Sequence, residues 1–157
     1  MNTRIKLVRV DNRLLHATVA LNWNKFVNAN YAIIVDNNYN KDPFFIKVMQ
    51  LCLPKPMEVK IFSPAELMAF LNEDSIEKRH LMIIFKDLKT AERAVELGFT
   101  HKEIQIPYPA SRIVIKKLSD FFNNEEIESI RFIQNHSIKL FFQTSPMDNK
   151  EYSIFLK

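Results

Sequence analysis

Residues 80–98 read HLMIIFKDLKTAERAVELG. A short, unbroken apolar run bounded by polar residues is the pattern of a strand covered on both faces, so a buried strand is expected over His80–Lys86. Asp87 then stands where a helix needs a side-chain acceptor for its first N–H groups, and a helix is expected over Leu88–Leu97. Gly98 follows at once, where a left-handed residue ends a helix without strain. One stretch therefore holds a strand, a cap, a helix and a stop.

The same unit recurs on either side. Upstream, Met57–Phe62 reads as a strand, and Ser63-Pro64-Ala65-Glu66 joins a capping box to a proline at the first helical position of a helix running to Leu71. Tyr31–Asp36 is a further buried strand, and Asp42-Pro43 opens a helix that Pro54 stops near Leu53. Ile5–Val10 reads as the first strand and His16–Asn28 as the helix after it, with Val19, Ala20, Trp23, Phe26 and Val27 on one face. Downstream, Lys102–Ile106 is a strand, Ile113–Leu118 a short strand, Asn124 the cap of a helix to about Gln134, and Ile138–Gln143 the last strand. Repeated strand–helix alternation with short links predicts an α/β class: a single three-layer domain, a mainly parallel sheet with helices on both faces. In such sheets ligands bind beyond the carboxyl ends of the strands, which directs attention to Asp11–His16, Asp36–Asn40, Lys86-Asp87 and Pro107–Arg112.

Composition narrows the chemistry. The chain has 157 residues and one glycine, so a P-loop and a Gly-rich dinucleotide fingerprint are both excluded. A nucleotide-binding α/β domain is disfavoured on the same ground, and a Gly-x-Ser-x-Gly nucleophile elbow is impossible. The net charge of +4 comes from scattered Lys and Arg without long runs, which is not a nucleic-acid signature. Thirteen phenylalanines predict a Phe-rich core. The one cysteine, Cys52, precludes an intramolecular disulfide and reads as a buried small hydrophobe. His80, His101 and His136 are far apart at no metal-ligand spacing, so neither a metal nor a cofactor is expected. The N-terminal MNTRIKLVRV has no signal-peptide core, and no apolar run approaches the roughly 20 residues of a membrane span. The expected location is cytoplasmic.

Residues 9–16 read RVDNRLLH and place a carboxylate, a guanidinium and an imidazole at a strand end and helix start. His16 near a helix N-terminus meets unpaired N–H groups and the positive end of the dipole, which favour the neutral, nucleophilic ring and would then stabilise a phosphoryl group on it. Arg13 has the fork to hold phosphoryl oxygens, and Asp11 the acceptor to fix one ring tautomer. The structural alternative for the same residues is a cap and an Asp–Arg turn pair.

The stretch VRVDNRLLHATVALNW resembles the N-terminal motif R-[IV]-D-x-R-L-[IL]-H-G-Q-V-x-x-x-W of the EIIB subunits of the mannose/fructose/sorbose family of the sugar phosphotransferase system (PTS), with Arg9, Asp11, Arg13, Leu14, His16, Val19 and Trp23 matching. The resemblance extends more loosely over nearly the whole chain and implies one EIIB domain over residues 1–157. It implies a phosphotransferase: His16 accepts a phosphoryl group from a histidine of the EIIA subunit or domain and passes it to a sugar entering through the membrane subunits EIIC and EIID. The chain would then sit in the cytoplasm, peripheral to the membrane, with a homo-oligomer left open. Asp11 and Arg13 are the carboxylate and guanidinium of that site, and Arg9, Ala17, Lys86, Ser111 and Arg112 are candidates for phosphate or partner contact.

Two departures bear on activity. Ala17-Thr18 replaces the family's Gly-Gln, and Ile106-Pro107-Tyr108-Pro109-Ala110-Ser111-Arg112 stands where a Gly-Gly turn is common. Prolines donate no N–H to an anion. Ser111 or Arg112 is expected to supply that contact instead, and the alternative function is a degenerate or regulatory EIIB-like binding module without efficient transfer. For Asp87 the capping role, and for Asp36 a turn role, stand beside a role lining the crevice.

Overall fold

The computed structural model describes residues 4–13, 28–37, 43–51, 57–73, 79–109 and 114–157. In chain order these form β1 (Ile5–Val10), β2 (Tyr31–Val35), α1 (Pro43–Leu51), β3 (Glu58–Phe62), α2 (Pro64–Leu71), β4 (Leu81–Phe85), α3 (Leu88–Glu96), β5 (Glu103–Ile106), a 3-10 turn (Leu118–Asp120), α4 (Asn124–Asn135), β6 (Lys139–Phe142) and a C-terminal 3-10 turn (Ser153–Leu156). Residues 16–27 of the helix expected over His16–Asn28, and the expected cap at Asp42, lie outside the described residues, while Asn28 itself takes φ +54° in a turn.

The six strands form one sheet in the order β3-β2-β4-β1-β5-β6. Every strand pairing is parallel. The sequence led to a mainly parallel sheet, and the described sheet is parallel throughout. Its centre is β4, the apolar run of the opening stretch, in which Leu81, Met82, Ile83, Ile84 and Phe85 are all sealed from solvent. Residues on the two faces of a strand alternate, and the core divides accordingly. Val8, Val10, Ile83, Phe85, Ile104 and Ile106 meet α2, α3 and α4 through Leu67, Ala91, Ala94 and Ile130. Leu7, Ala32, Ile34, Met82 and Ile84 meet Ile46 and Met49 of α1 on the other face. Burying each large aliphatic side chain contributes about 1.5–3 kcal/mol, so the central strands anchor both layers.

Local chemistry sets the element ends. Ser63 Oγ accepts from Glu66 N–H at 3.1 Å while the Glu66 carboxylate accepts from Ser63 N–H at 3.2 Å. Asp87 Oδ1 accepts from both the N–H and the hydroxyl of Thr90, at 2.8 and 2.7 Å, so Asp87 does cap α3. Gly98 takes φ +108° at the helix end. Added at Gly98, a Cβ would approach nothing closer than Met68 Cε at 3.9 Å. The backbone angle, rather than space, is what demands glycine there.

Two expectations need correction. Asn123, rather than Asn124, caps α4: its Oδ1 accepts from Glu126 N–H at 2.8 Å and Glu126 returns the bond at 3.0 Å. The reciprocal box needs its glutamate three residues on, and from Asn123 that residue is Glu126. In the described part of Ile113–Leu118 there is no strand. The N–H groups of Lys116 and Lys117 are taken by Asp120 Oδ2 at 2.9 and 3.2 Å, so a side chain satisfies donors that a ladder would have used, and Leu118 starts the 3-10 turn.

The chain leaves β1 toward β2 on one side of the sheet and leaves β4 toward β5 on the far side of β1. Neighbouring strands whose exits diverge in this way open a crevice at their carboxyl ends.

Candidate functional site

That crevice is a groove of about 1120 Å³. Its floor is the end of β1, Val10–Arg13, beside the end of β4 at Lys86-Asp87. Its rims are Pro107-Tyr108-Pro109 after β5, Phe121 and Glu126 before and within α4, and Thr144, Ser145 and Asp148 after β6.

Asp11 is the hub. Its N–H continues the sheet by donating to the Phe85 carbonyl at 2.9 Å, which fixes the carboxylate against β4. The residue is 3% exposed. Oδ1 accepts from the Arg13 N–H at 3.0 Å, a turn closed by an aspartate onto the residue two positions on. The Arg13 guanidinium then grips both carboxylate oxygens, Nε to Oδ1 and Nη2 to Oδ2, each at 3.1 Å. From below, Arg9 Nε donates to Oδ2, also at 3.1 Å.

Arg9 is wholly buried. Its Nη1 donates to Gln105 Oε1 and, at 3.5 and 3.4 Å, to the carbonyls of Gln143 and Thr144. Its Nη2 has no hydrogen-bond partner. Burial pushes the Arg9 guanidinium below its usual range, Asp11 opposes this, and Arg13 adds to it. An arginine nevertheless keeps its proton in proteins. The group of Arg9, Asp11 and Arg13 therefore carries two positive charges against one negative, with the Arg13 side chain half exposed at the groove. The groove itself is lined by Arg13 and Lys86 together with Asp11, Asp87, Glu126 and Asp148, so its positive charge is confined to the Arg13 end, where a guanidinium suits phosphoryl oxygens.

The other expected residues are placed as follows. Lys86 lines the groove with its Nζ 3.5 Å from Asp36 Oδ2, so its charge is shared with a carboxylate. Arg9 lies beneath the groove and reaches it through Asp11. His16, Ala17, Ser111 and Arg112 lie outside the described residues. In the Pro107-Tyr108-Pro109 rim, the Tyr108 N–H is spent on Thr144 Oγ1 at 2.9 Å, and its ring stacks on Phe142 at 5.2 Å. Burial, then Glu151 and Asp148, push its phenol upward. Sequence reasoning missed Gln105 and Gln143. The only signal for Gln105 was a single polar residue interrupting an apolar strand, Ile104-Gln105-Ile106, and Gln143, just past the end of β6, had none. Among the described residues no cluster of three His, Cys, Asp or Glu is arranged for a metal, and no helix is long and apolar enough to cross a membrane.

A parallel α/β sheet with a crevice beyond its first strand, in which an arginine and a buried aspartate are paired, places the chain among α/β proteins whose site lies at the carboxyl ends of the strands. Comparison supplies the family. The model of the PTS system sorbose subfamily IIB component matches residues 5–155, and the chain belongs to that family of sugar phosphotransferase components. The N-acetylgalactosamine-specific phosphotransferase enzyme IIB component 1 of Escherichia coli K12 is 23% identical over 150 residues, 94% of each chain. The mannose-specific EIIAB component of the same organism is 23% identical over 138 residues, 87% of this chain and 43% of its own. The crystal structure of the IIBSor domain of the sorbose permease from Klebsiella pneumoniae superimposes with a TM-score of 0.80 at 22% identity, covering 96% of this chain and 93% of that one.

Proposed function

We propose that this chain is a phosphocarrier. His16, three residues beyond Arg13, accepts a phosphoryl group from a phosphohistidine of an EIIA partner and delivers it to a sugar at an EIIC/EIID membrane complex. The observation that carries the reading is the surplus positive charge of the Arg9–Asp11–Arg13 group at the groove floor. In the first step a neutral His16 nitrogen attacks phosphorus, the donor's P–N bond breaks, and the donor imidazole leaves as the new P–N bond forms. Arg13 offsets charge on the transferring oxygens. Asp11 holds Arg13 in place, and its expected service to the His16 ring is additional to that. In the second step a sugar hydroxyl attacks, releasing its proton and the imidazole. Both steps rely on positioning and a cationic clamp rather than on a bound group. The chain acts in the cytoplasm, at the membrane through its partners.

The test is to incubate the protein with phosphoenolpyruvate, enzyme I, HPr and an EIIA of a mannose- or sorbose-type system. Acid-labile phosphate is expected on the wild type and absent from His16→Ala. Label surviving that substitution, or none on wild type with an active donor, overturns the carrier.

One observation favours a second reading. Pro107 and Pro109 have no N–H, and the Tyr108 N–H is bound to Thr144, so this rim offers the groove no backbone donor from these three residues. A regulatory module that binds its partner and transfers slowly fits that rim. Stable binding to EIIA with labelling that never reaches the sugar would select it.

A further inference from the structure

Arg9 and Gln105 are register partners on adjacent parallel strands. Their side chains therefore leave the same face of the sheet. That face elsewhere carries Leu7, Met82 and Ile84, so a buried arginine and two buried glutamines are a costly exception there. They form an ordered chain of donors. Arg9 Nη1 donates to Gln105 Oε1, Gln105 Nε2 donates to Gln143 Oε1 at 3.0 Å, and Gln143 Nε2 donates to the Asp148 carbonyl at 2.9 Å. Asp148 in turn closes the 144–148 loop, its Oδ2 accepting from the N–H groups of Thr144 and Ser145 at 3.1 and 2.9 Å. Each amide has one orientation that satisfies both neighbours, so the chain is directional and its members reinforce one another.

The consequence falls on Asp11. An arginine beside a carboxylate ordinarily forks onto both oxygens. Arg9 does not: it gives Asp11 only Nε, on Oδ2, while Nη2, which would complete the fork, has no partner, because Nη1, held by Gln105 and by the carbonyls of Gln143 and Thr144, fixes the plane of the guanidinium. Oδ1 therefore serves Arg13, through its backbone N–H and its Nε. The geometry points to Gln105, backed by Gln143, as a positioning residue: by holding Arg9 to a single bond with Asp11, it reserves Asp11 for Arg13 and sets the anion-binding guanidinium at the groove. This deepens the phosphoryl-acceptor reading and rests on it only for its consequence in transfer.

The test uses the full chain with arginine Nε–H protons followed by NMR, and phosphoramidate as a small phosphoryl donor that needs no protein partner. In that labelling, the P–N bond of phosphoramidate breaks, ammonia leaves, and phosphorus bonds to imidazole nitrogen. In Gln105→Leu, Arg9 turns to fork onto Asp11 and Arg13 is released. Its Nε–H exchange with solvent then rises by about threefold to tenfold, the loss of one hydrogen bond. The labelling rate at saturating phosphoramidate falls by a similar factor, with the half-saturating concentration unchanged. Gln105→Glu keeps an acceptor for Arg9, so Arg13 exchange stays at the wild-type rate; the labelling rate still falls, because the added carboxylate cancels the surplus charge. Unchanged Arg13 exchange in Gln105→Leu overturns the proposal. So does an equal rise in Gln105→Glu, or an equal rise at the buried amides of β4, which would mark general loosening. Should Gln105→Leu fail to fold, Gln143→Met removes the acceptor of Gln105 and carries the same expectation at about twofold, with no change counting against it. If Arg13 responds as expected while wild type takes no label from phosphoramidate or from an active phospho-EIIA, the relay stands and the phosphocarrier reading fails.

Discussion

The two ends of β5 carry two polar networks built on opposite plans. At the amino end, Glu103 accepts from Lys150 Nζ at 2.6 Å and from the Tyr152 hydroxyl at 2.5 Å. One carboxylate meets one ammonium and a neutral phenol, and the charges cancel. At the carboxyl end, Gln105 sits beneath two guanidinium groups that share a single carboxylate. The first network ties the C-terminal segment to the sheet and is closed. In the second, two guanidinium groups meet one carboxylate, and the Arg9 Nη2 within it has no hydrogen-bond partner. Balanced polar groups stabilise; a buried imbalance is costly and persists where something else needs it. The difference sets the carboxyl end, where the candidate site lies, apart from the amino end.

Substitutions at the two ends should break this contrast in order of size. Arg9→Met removes a buried charge that Asp11 faces from below, and a loss of about 3–5 kcal/mol in urea unfolding is expected. Glu103→Gln should cost about 1–2 kcal/mol, since two charge-assisted bonds weaken at a partly exposed site. Its pH profile sharpens the point. Burial raises the Glu103 carboxyl, but the bonds from Lys150 and Tyr152 outweigh this and hold it below its ordinary value of 4.5. Its contribution is thus present above 4.5 and lost as pH falls through the lower folded value, so the acid arm of wild-type stability should be shallower in Glu103→Gln. Tyr152→Phe should cost about 1 kcal/mol near neutrality. Burial, then the bond to and charge of Glu103, push that phenol from 10.0 up to about 12. A raised acid stabilises below 10.0 and loses its contribution as pH rises toward about 12, so wild type should weaken over that alkaline range and Tyr152→Phe should not. Arg13→Ala should cost least in stability, under about 1 kcal/mol for a half-exposed pair, while suppressing phosphorylation. A functional loss without a stability loss is what the open network predicts; equal stability losses at Arg13 and Glu103 would erase the distinction.

Much of the fold was legible because its signals are local. Apolar runs gave β2 and β4, and Ser63–Glu66 and Asp87 marked their helix starts by side chain. Asn123 and Asn124 are adjacent and chemically alike, and only the spacing to Glu126 separates them. The segment near Ile115 looked like a strand because it opens on three β-branched apolar residues, Ile113-Val114-Ile115; the deciding bond comes from Asp120, outside that run. In the site, Asp11 and Arg13 were legible as neighbours two positions apart. Gln105 was not, because its partner Arg9 lies 96 positions away, and Gln143 lies 38 further on. Long-range pairing across a parallel sheet leaves no periodic trace in the sequence.

The donor chain from Arg9 through Gln105 to Gln143 joins β1 and β5 to the turn after β6. Ribosomal synthesis delivers these pieces first, fifth and last among the strands. A nascent or truncated chain that stops before residue 143 can set Gln105 against Arg9 and still leave Gln105 without the amide that orients it. Because such distant closures form late, the donor chain is complete only when the sheet is. Completion of the donor chain thus reports completion of the sheet: the turn after β6 must be in place before the last amide behind Arg9 has its partner.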